Sequence, residues 1–293
     1  VVKQRIGVLG ATSLVGNYLL ELLSQSGLDI TAFTRRCNDD CPAIKGVDWM
    51  QLDLNTNKPK HNFISNKPID FWISVAPIWI LPNLFGLFET YGIKRIVALS
   101  STSLFVKSDS SDPFEKDVAI KLSEGEQQLK TWATNNGIEW IILRPTLIYG
   151  AGRDKNVAEI ASFIRRFGFF PLFGAARGLR QPVHANDIAT ACLAALLNLS
   201  VVNHAYNLSG GETLTYRDMI TRIFAAMGRR PQLVHVPLWF FRLGIAVLHC
   251  SPRYRHWTTA MAERMNQDLC FDHSEASRDI GYLPKNFEPF KEV

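Results

Sequence analysis

The segment that most constrains this chain is its first, Arg5-Ile6-Gly7-Val8-Leu9-Gly10-Ala11-Thr12-Ser13-Leu14-Val15-Gly16. An apolar, β-type run ends at Gly10, where the backbone must turn sharply and lie close to something. Gly16 follows six residues later, inside a helical pattern of apolar residues at Leu14, Val15, Leu19, Leu20, Leu22 and Leu23. Strand, tight turn and helix in that order offer bare backbone N–H groups at the positive end of a helix dipole, which is what a pyrophosphate needs. Gly7, Gly10 and Gly16 are in place, and Ser13 stands where a middle glycine is usual. An ordinary tight strand–helix turn can carry the same glycines. The amino-terminal position, the flanking elements and the residues downstream favour a dinucleotide-binding βαβ unit.

Residues 29–34 alternate in the manner of a second strand. Arg35 and Arg36 follow, nineteen and twenty residues beyond Gly16. A site selective for NAD places a carboxylate about 20 residues on, to hold the ribose 2′-hydroxyl. Here no acid ends the strand, and a guanidinium suits a 2′-phosphate through its planar paired donors. The expected cofactor is therefore NADP(H), with NAD(H) as the alternative. Two solvated arginines at a strand end are the plain competing reading.

With 293 residues, 47% of them apolar, the chain can bury the core of one large α/β domain, with or without a smaller cap. The net charge of +5 suits anionic small molecules or an anionic surface. No dense basic run carries interleaved aromatics, so nucleic acid is not an expected partner. Five cysteines (Cys37, Cys41, Cys192, Cys250, Cys270) show no framework spacing, which fits a reducing cytosol. Cys37 and Cys41 form the one close pair, without a histidine or a second pair beside them, and no metal site is expected. No secretory signal pattern is visible and no apolar stretch reaches the roughly 20 residues that span a bilayer, so a cytoplasmic location is expected.

Strand-like and helix-like runs alternate to about residue 150. Strands are predicted at 49–54, 70–75, 95–100 and 140–143, with helices at 82–91 and 115–135; Gly92 and Gly137 stop the two helices. This alternation implies a parallel sheet covered by helices on both faces. Beyond Gly150 it loosens. Residues 151–183 are rich in Gly, Arg and Phe; then come a helix at 186–197, a short strand at 205–208 and a helix at 215–227.

Several motifs now stand in order: Gly10-x-x-Ser13-x-x-Gly16, Asp53-Leu54, Ser100-Ser101-Thr102, and Leu143-Arg144-Pro145 with Tyr149-Gly150. Pro182-Val183-His184-x-x-Asp187 and Tyr206-Asn207-Leu208-Ser209-Gly210-Gly211 complete the set. With them the chain resembles the extended or atypical branch of the short-chain dehydrogenase/reductase superfamily, which includes NAD-dependent epimerases/dehydratases, nucleoside-diphosphate-sugar epimerases and related reductases. The resemblance implies an α/β fold: a Rossmann-type doubly wound parallel sheet from residues 1–150 with about 184–208, binding NAD(P), and a smaller C-terminal substrate domain from 151–183 and 209–293.

It also implies roles. Gly10, Thr12, Ser13, Leu14, Val15 and Gly16 would line the pyrophosphate. Arg35 and Arg36 would face the adenosine phosphate, Asp53 and Leu54 would flank the adenine, Ala76 and Pro77 would lie beside a ribose, and Pro145 and Leu147 would approach the nicotinamide. Ser101 or Thr102 would be the hydroxyl that orients a substrate carbonyl. Arg180 stands where nucleotide-sugar enzymes often use an arginine near the diphosphate, and with Arg177, Arg165 and Arg166 it could form an anion clamp. A solvated basic loop is the alternative.

The chain departs from the superfamily in its catalytic pair. The usual donor is a Tyr with a Lys four residues later, because a phenol near pKa 10 needs help to work near neutrality. With Glu126 taken as the family's helix acid, those places hold Val118 and Leu122. Tyr149 is a candidate substitute, with packing as its competing role. His184 is expected to support the fold, and Lys121 to be a solvated helix lysine.

Two functions follow. One is an NADP(H)-using oxidoreductase or epimerase acting on a carbonyl or sugar hydroxyl, including nucleotide- or lipid-linked sugars. The other is a non-catalytic NADP(H)-binding sensor or assembly protein. The aromatic runs 167–173 and 239–257 are expected to pack in the core or between subunits. The second run, being basic as well, also suits peripheral contact with a membrane surface. The long 115–135 helix would serve a homodimer.

Overall fold

The computed structural model describes residues 5–35, 41–52, 68–152, 154, 156–237 and 259–291. The expectations for Arg36, Cys37, Asp53, Leu54 and the run 239–257 lie outside the described residues.

The chain opens as predicted, with β1 (Arg5–Leu9), α1 (Leu14–Gln25), β2 (Asp29–Thr34) and β3 (Val47–Gln51). Next come β4 (Phe71–Ser74), a 3-10 helix (Ile78–Leu84), α2 (Phe85–Thr90), β5 (Arg95–Leu99), α3 (Ser103–Val106) and α4 (Pro113–Asn135). The predicted helix at 82–91 is thus two pieces, because Pro82 sits within the 3-10 turn and cannot supply an N–H to an α-helix. Then follow β6 (Glu139–Pro145), β7 (Ile148–Tyr149), α5 (Val157–Phe167), β8 (Phe170–Phe173), β9 (Leu179–Arg180) and β10 (Val183–His184). The chain continues through α6 (Ala185–Leu197), β11 (His204–Leu208), β12 (Leu214–Thr215), α7 (Tyr216–Ala226), β13 (Leu233–Val236), α8 (Thr259–Arg264) and α9 (Ser274–Ile280).

Seven strands form one sheet in the order β11-β6-β5-β4-β1-β2-β3, and every pairing in it is parallel. The order reverses between β1 and β4, so the crevice beyond their carboxyl ends is the switch point where doubly wound sheets hold ligands. Strand alternation sends Ile6, Val8, Ile30, Ala32 and Ile73 into one core with α1 and α6. Leu9, Phe33, Trp72, Ile96 and Ala98 enter a second core, beneath α2 and α4. Near-continuous apolar strands such as Arg95–Leu99 are buried on both faces, which parallel sheets require. Arg95 is the exception in chemistry: its guanidinium reaches past the apolar layer to the carbonyls of Ala195, Asn198 and Val201 and to Glu139.

A third core joins α5, β8 and α7 with Ala262, Met265 and Phe287. The run 167–173, expected to pack in the core or between subunits, enters this core in part as a strand: β8 is buried throughout and pairs in parallel with β13. Gly168, at φ 79°, ends α5 in a left-handed turn and starts that strand.

Candidate functional site

Ser13 begins the site by capping α1: its Oγ accepts the Gly16 N–H at 3.1 Å. The first turn of a helix leaves its amides without intrahelical partners. With Gly16 capped, the N–H groups of Leu14 and Val15 remain for an anion. Gly10 turns the chain at φ 77°, and a Cβ there would lie 2.7 Å from Ala76 N, so the β1–α1 turn rests directly on the end of β4. Thr12, Ser13, Leu14 and Ala76 are partly accessible around this crevice, and Pro77 is exposed. Arg35 lies exposed just past β2, one strand over.

Along the same carboxyl edge, Ser101 and Thr102 follow β5, and Pro145 ends β6. The structure separates the two hydroxyls. Thr102 is buried and spends its hydroxyl on Pro145 O at 3.2 Å. Ser101 Oγ accepts the Ser103 N–H at 3.1 Å, which leaves its own proton to give. Both line a cavity of about 460 Å³ that runs from the sheet edge into the third core. Its apolar wall includes Leu147, Ile160, Phe170, Phe173, Met219 and Met265; its polar groups include Lys107, Glu159, Arg180, Tyr216 and Arg264.

Other sequence-chosen residues fall elsewhere. Tyr149 is not among the cavity residues: its ring packs edge-on against His184 and Phe287, and its hydroxyl accepts the Glu288 N–H at 3.2 Å. Burial pushes that phenol up to about 12, which makes it a poor proton donor. His184 caps α6, Nδ1 accepting the Asn186 N–H at 3.2 Å, and burial lowers its pKa. Arg177 is exposed and outside the lining. Arg180 does line the cavity, but its donors reach the carbonyls of Leu179, Gln267 and Arg264, strapping the 264–267 segment to β9. Burial brings this guanidinium down to about 10, and its plane lies over the Tyr216 ring.

On α4, Lys121 pairs outward with Asp117 at 2.6 Å, half exposed. Leu122 is buried in the second core, with Val118 packed beside it. Glu126 is buried and takes both arms of Arg144, at 2.8 and 2.5 Å. Burial alone would raise this carboxyl; Arg144, together with Ser100 and Lys130, outweighs it and holds the group below its ordinary value.

Sequence reasoning missed one cluster at the cavity. Lys107, which ends α3, lies 4.0 Å from the buried Glu115. Glu115 also pairs with Arg264 and accepts the Ser110 hydroxyl at 2.7 Å. Burial lowers the Lys107 pKa, and Glu115 partly opposes it. No periodicity joins residues 107, 115 and 264; only the fold brings them together.

Residues 6–78 and 80–209 match the NAD dependent epimerase/dehydratase family, and the chain belongs to that family. The resemblance to extended short-chain dehydrogenases/reductases therefore holds. The UDP-glucose 4-epimerase of Vibrio cholerae is 24% identical over 203 residues, covering 66% of this chain and 59% of the epimerase. The mitochondrial NADH dehydrogenase (ubiquinone) 1 alpha subcomplex subunit 9 of Arabidopsis thaliana is 24% identical over 250 residues, 78% of this chain and 60% of that subunit. This chain thus spans about three-fifths of the length of these curated relatives. The UDP-glucuronic acid 4-epimerase of Bacillus cereus, solved with UDP-glucuronic acid and NAD, shares the fold: its TM-score is 0.70 at 14% identity, over 96% of this chain and 94% of that one.

Proposed function

We propose that the chain is an NADP(H)-using oxidoreductase or epimerase that acts on a carbonyl or sugar hydroxyl held in the cavity beside Ser101. One observation carries this reading: the Gly10–Ala76 cradle, Ser101 and the cavity lie in a row along the carboxyl edge of adjacent strands. Gly10 leaves room that any Cβ would fill, and the amides of Leu14 and Val15 suit a pyrophosphate there. Arg35 is the group for a 2′-phosphate, and NAD(H) remains the alternative cofactor. The bound dinucleotide would supply or accept a hydride. Ser101 Oγ–H would hold the substrate oxygen, and the apolar wall would exclude water.

The UDP-sugars of related structures make a nucleotide sugar one substrate class. The cationic groups at the cavity, Lys107, Arg180 and Arg264, favour an anionic substrate of that kind. The test offers a panel of nucleotide sugars and small carbonyls and follows two readouts: NADPH consumption for a reductase, and formation of the epimeric sugar, which consumes no cofactor, for an epimerase. Turnover that falls in Ser101→Ala with NADPH affinity unchanged supports the reading; NADPH binding without turnover of any member defeats it.

A second reading, a non-catalytic NADP(H)-binding sensor or assembly protein, is favoured by Val118 and Leu122. Both sit on α4 where the family's phenol and lysine are expected, and Leu122 is buried in the core. The similarity to a subunit of an NADH dehydrogenase subcomplex accords with it. NADPH binding with no turnover is the outcome it expects.

A further inference from the structure

We propose that Lys107 is the proton donor to the substrate oxygen, performing the task for which positions 118 and 122 supply no polar group. The proposal rests on the enzyme reading above and names a residue that reading leaves open. Lys107 caps the end of the short helix α3, Thr102 caps its start with Ser101 just before, and all three line the cavity. Its neighbours define its state. Glu115 faces it from the first turn of α4, Asp112 from the cap of that helix, and Arg264 from the end of α8.

Glu115 is anchored by the Ser110 hydroxyl at 2.7 Å and by a close pairing with Arg264. Its distance of 4.0 Å from Lys107 is loose by comparison. Arg264 therefore takes the carboxylate's strongest contact, and the ammonium keeps N–H donors for the cavity. Its half-burial lowers the cost of giving up the charge, the direction a proton donor near neutrality needs.

The other protic groups in the cavity are less suited. Burial pushes the Tyr216 phenol up to about 12. The Arg180 guanidinium is spent on the carbonyls of Leu179, Gln267 and Arg264, and that of Arg264 on Glu115. Glu159 is exposed at the edge. In the reducing direction the balance is simple, with the nicotinamide dinucleotide as reductant. The carbonyl carbon gains a C–H bond from the hydride that the reduced dinucleotide would give up as its own C–H bond breaks and it is oxidised, and the C=O π pair moves to oxygen. An O–H bond forms as Lys107 Nζ loses its proton, and the amine regains one from solution, the net proton that the reduction consumes.

The test compares Lys107→Met, Lys107→Arg and Tyr216→Phe with the wild type. Both Lys107 variants should lose about 100-fold or more in kcat, the scale of general acid catalysis, with NADPH affinity unchanged. Lys107→Arg keeps a cation for Glu115, so a purely structural role would leave that variant active. A readout without turnover is competitive acetylation of the free protein across pH, followed by mass spectrometry. Lys107 should titrate below the free ε-amine of an Nα-acetyl-lysine amide standard. Wild-type turnover in Lys107→Arg overturns the proposal alone, as does titration at or above the standard, or a loss confined to Tyr216→Phe. A wild type that binds NADPH and turns over nothing fails the enzyme reading, and this proposal with it.

Discussion

Gly10 lies so close to the end of β4 that a Cβ on it would sit 2.7 Å from the backbone nitrogen of Ala76. The same residue holds φ at 77°, a left-handed conformation that costs other L-residues about 1–2 kcal/mol. Gly10→Ala should therefore push the β1–α1 turn off the sheet edge. The expected outcome is a lower Tm and a loss of NADPH affinity larger than that of Ala76→Gly, measured by thermal melting and calorimetric titration. An unchanged affinity would contradict the cradle.

Arg35 stands exposed beyond β2, with no carboxylate ending the strand. Arg35→Asp should weaken NADPH binding by about 1.5–3 kcal/mol, the scale of a hydrogen bond to a charged group, and spare NADH. Titration of both cofactors into both proteins checks it. Equal losses would remove Arg35 from the phosphate.

The Tyr149 hydroxyl accepts the Glu288 N–H at 3.2 Å and donates to Asn286 O at 3.4 Å, and its ring packs on His184 and Phe287. Tyr149→Phe removes both bonds and should cost about 1–3 kcal/mol of stability, at about 0.5–1.5 kcal/mol for each, and leave kcat near wild type. A large loss of kcat with stability intact would return the residue to catalysis.

Glu126 and Arg144 clasp α4 to β6 with both partners largely buried. The folded-state carboxyl titrates below its ordinary value, so its contribution is present above the unfolded value of about 4.3 and is lost as pH falls through the folded one. Glu126→Gln should destabilise the protein at neutral pH and flatten the acid side of its stability–pH curve. Removing one partner of a buried pair costs about 3–5 kcal/mol. Denaturant melts at neutral and acidic pH measure both effects; a constant gap between variant and wild type would contradict the assignment.

The sheet was legible in the sequence because it depends on local pattern. Strand alternation, the Gly10 turn, and the glycines that stop helices each act within a few residues. The run 167–173 was expected to pack and Phe170, Leu172 and Phe173 do so in the third core; that they do it as a strand was not legible, since a buried strand of Phe, Pro and Leu carries no alternation to read. Ser101 and Thr102 could not be told apart, because the difference is one hydrogen bond to Pro145, 43 residues later in the chain. The cluster of Lys107, Glu115 and Arg264 was invisible for the same reason: Arg264 reaches Glu115 across 149 residues. Its residue types look like ordinary surface charges until the chain closes around them.

The most direct measurement is a crystal structure of the protein grown with NADPH. The account predicts the pyrophosphate against the amides of Leu14 and Val15, the 2′-phosphate near Arg35, and the nicotinamide between Pro145 and Ser101 at the cavity mouth. A folded protein that shows no dinucleotide at millimolar NADPH or NADH, or holds it away from the β1–α1 turn, would contradict the account at its root.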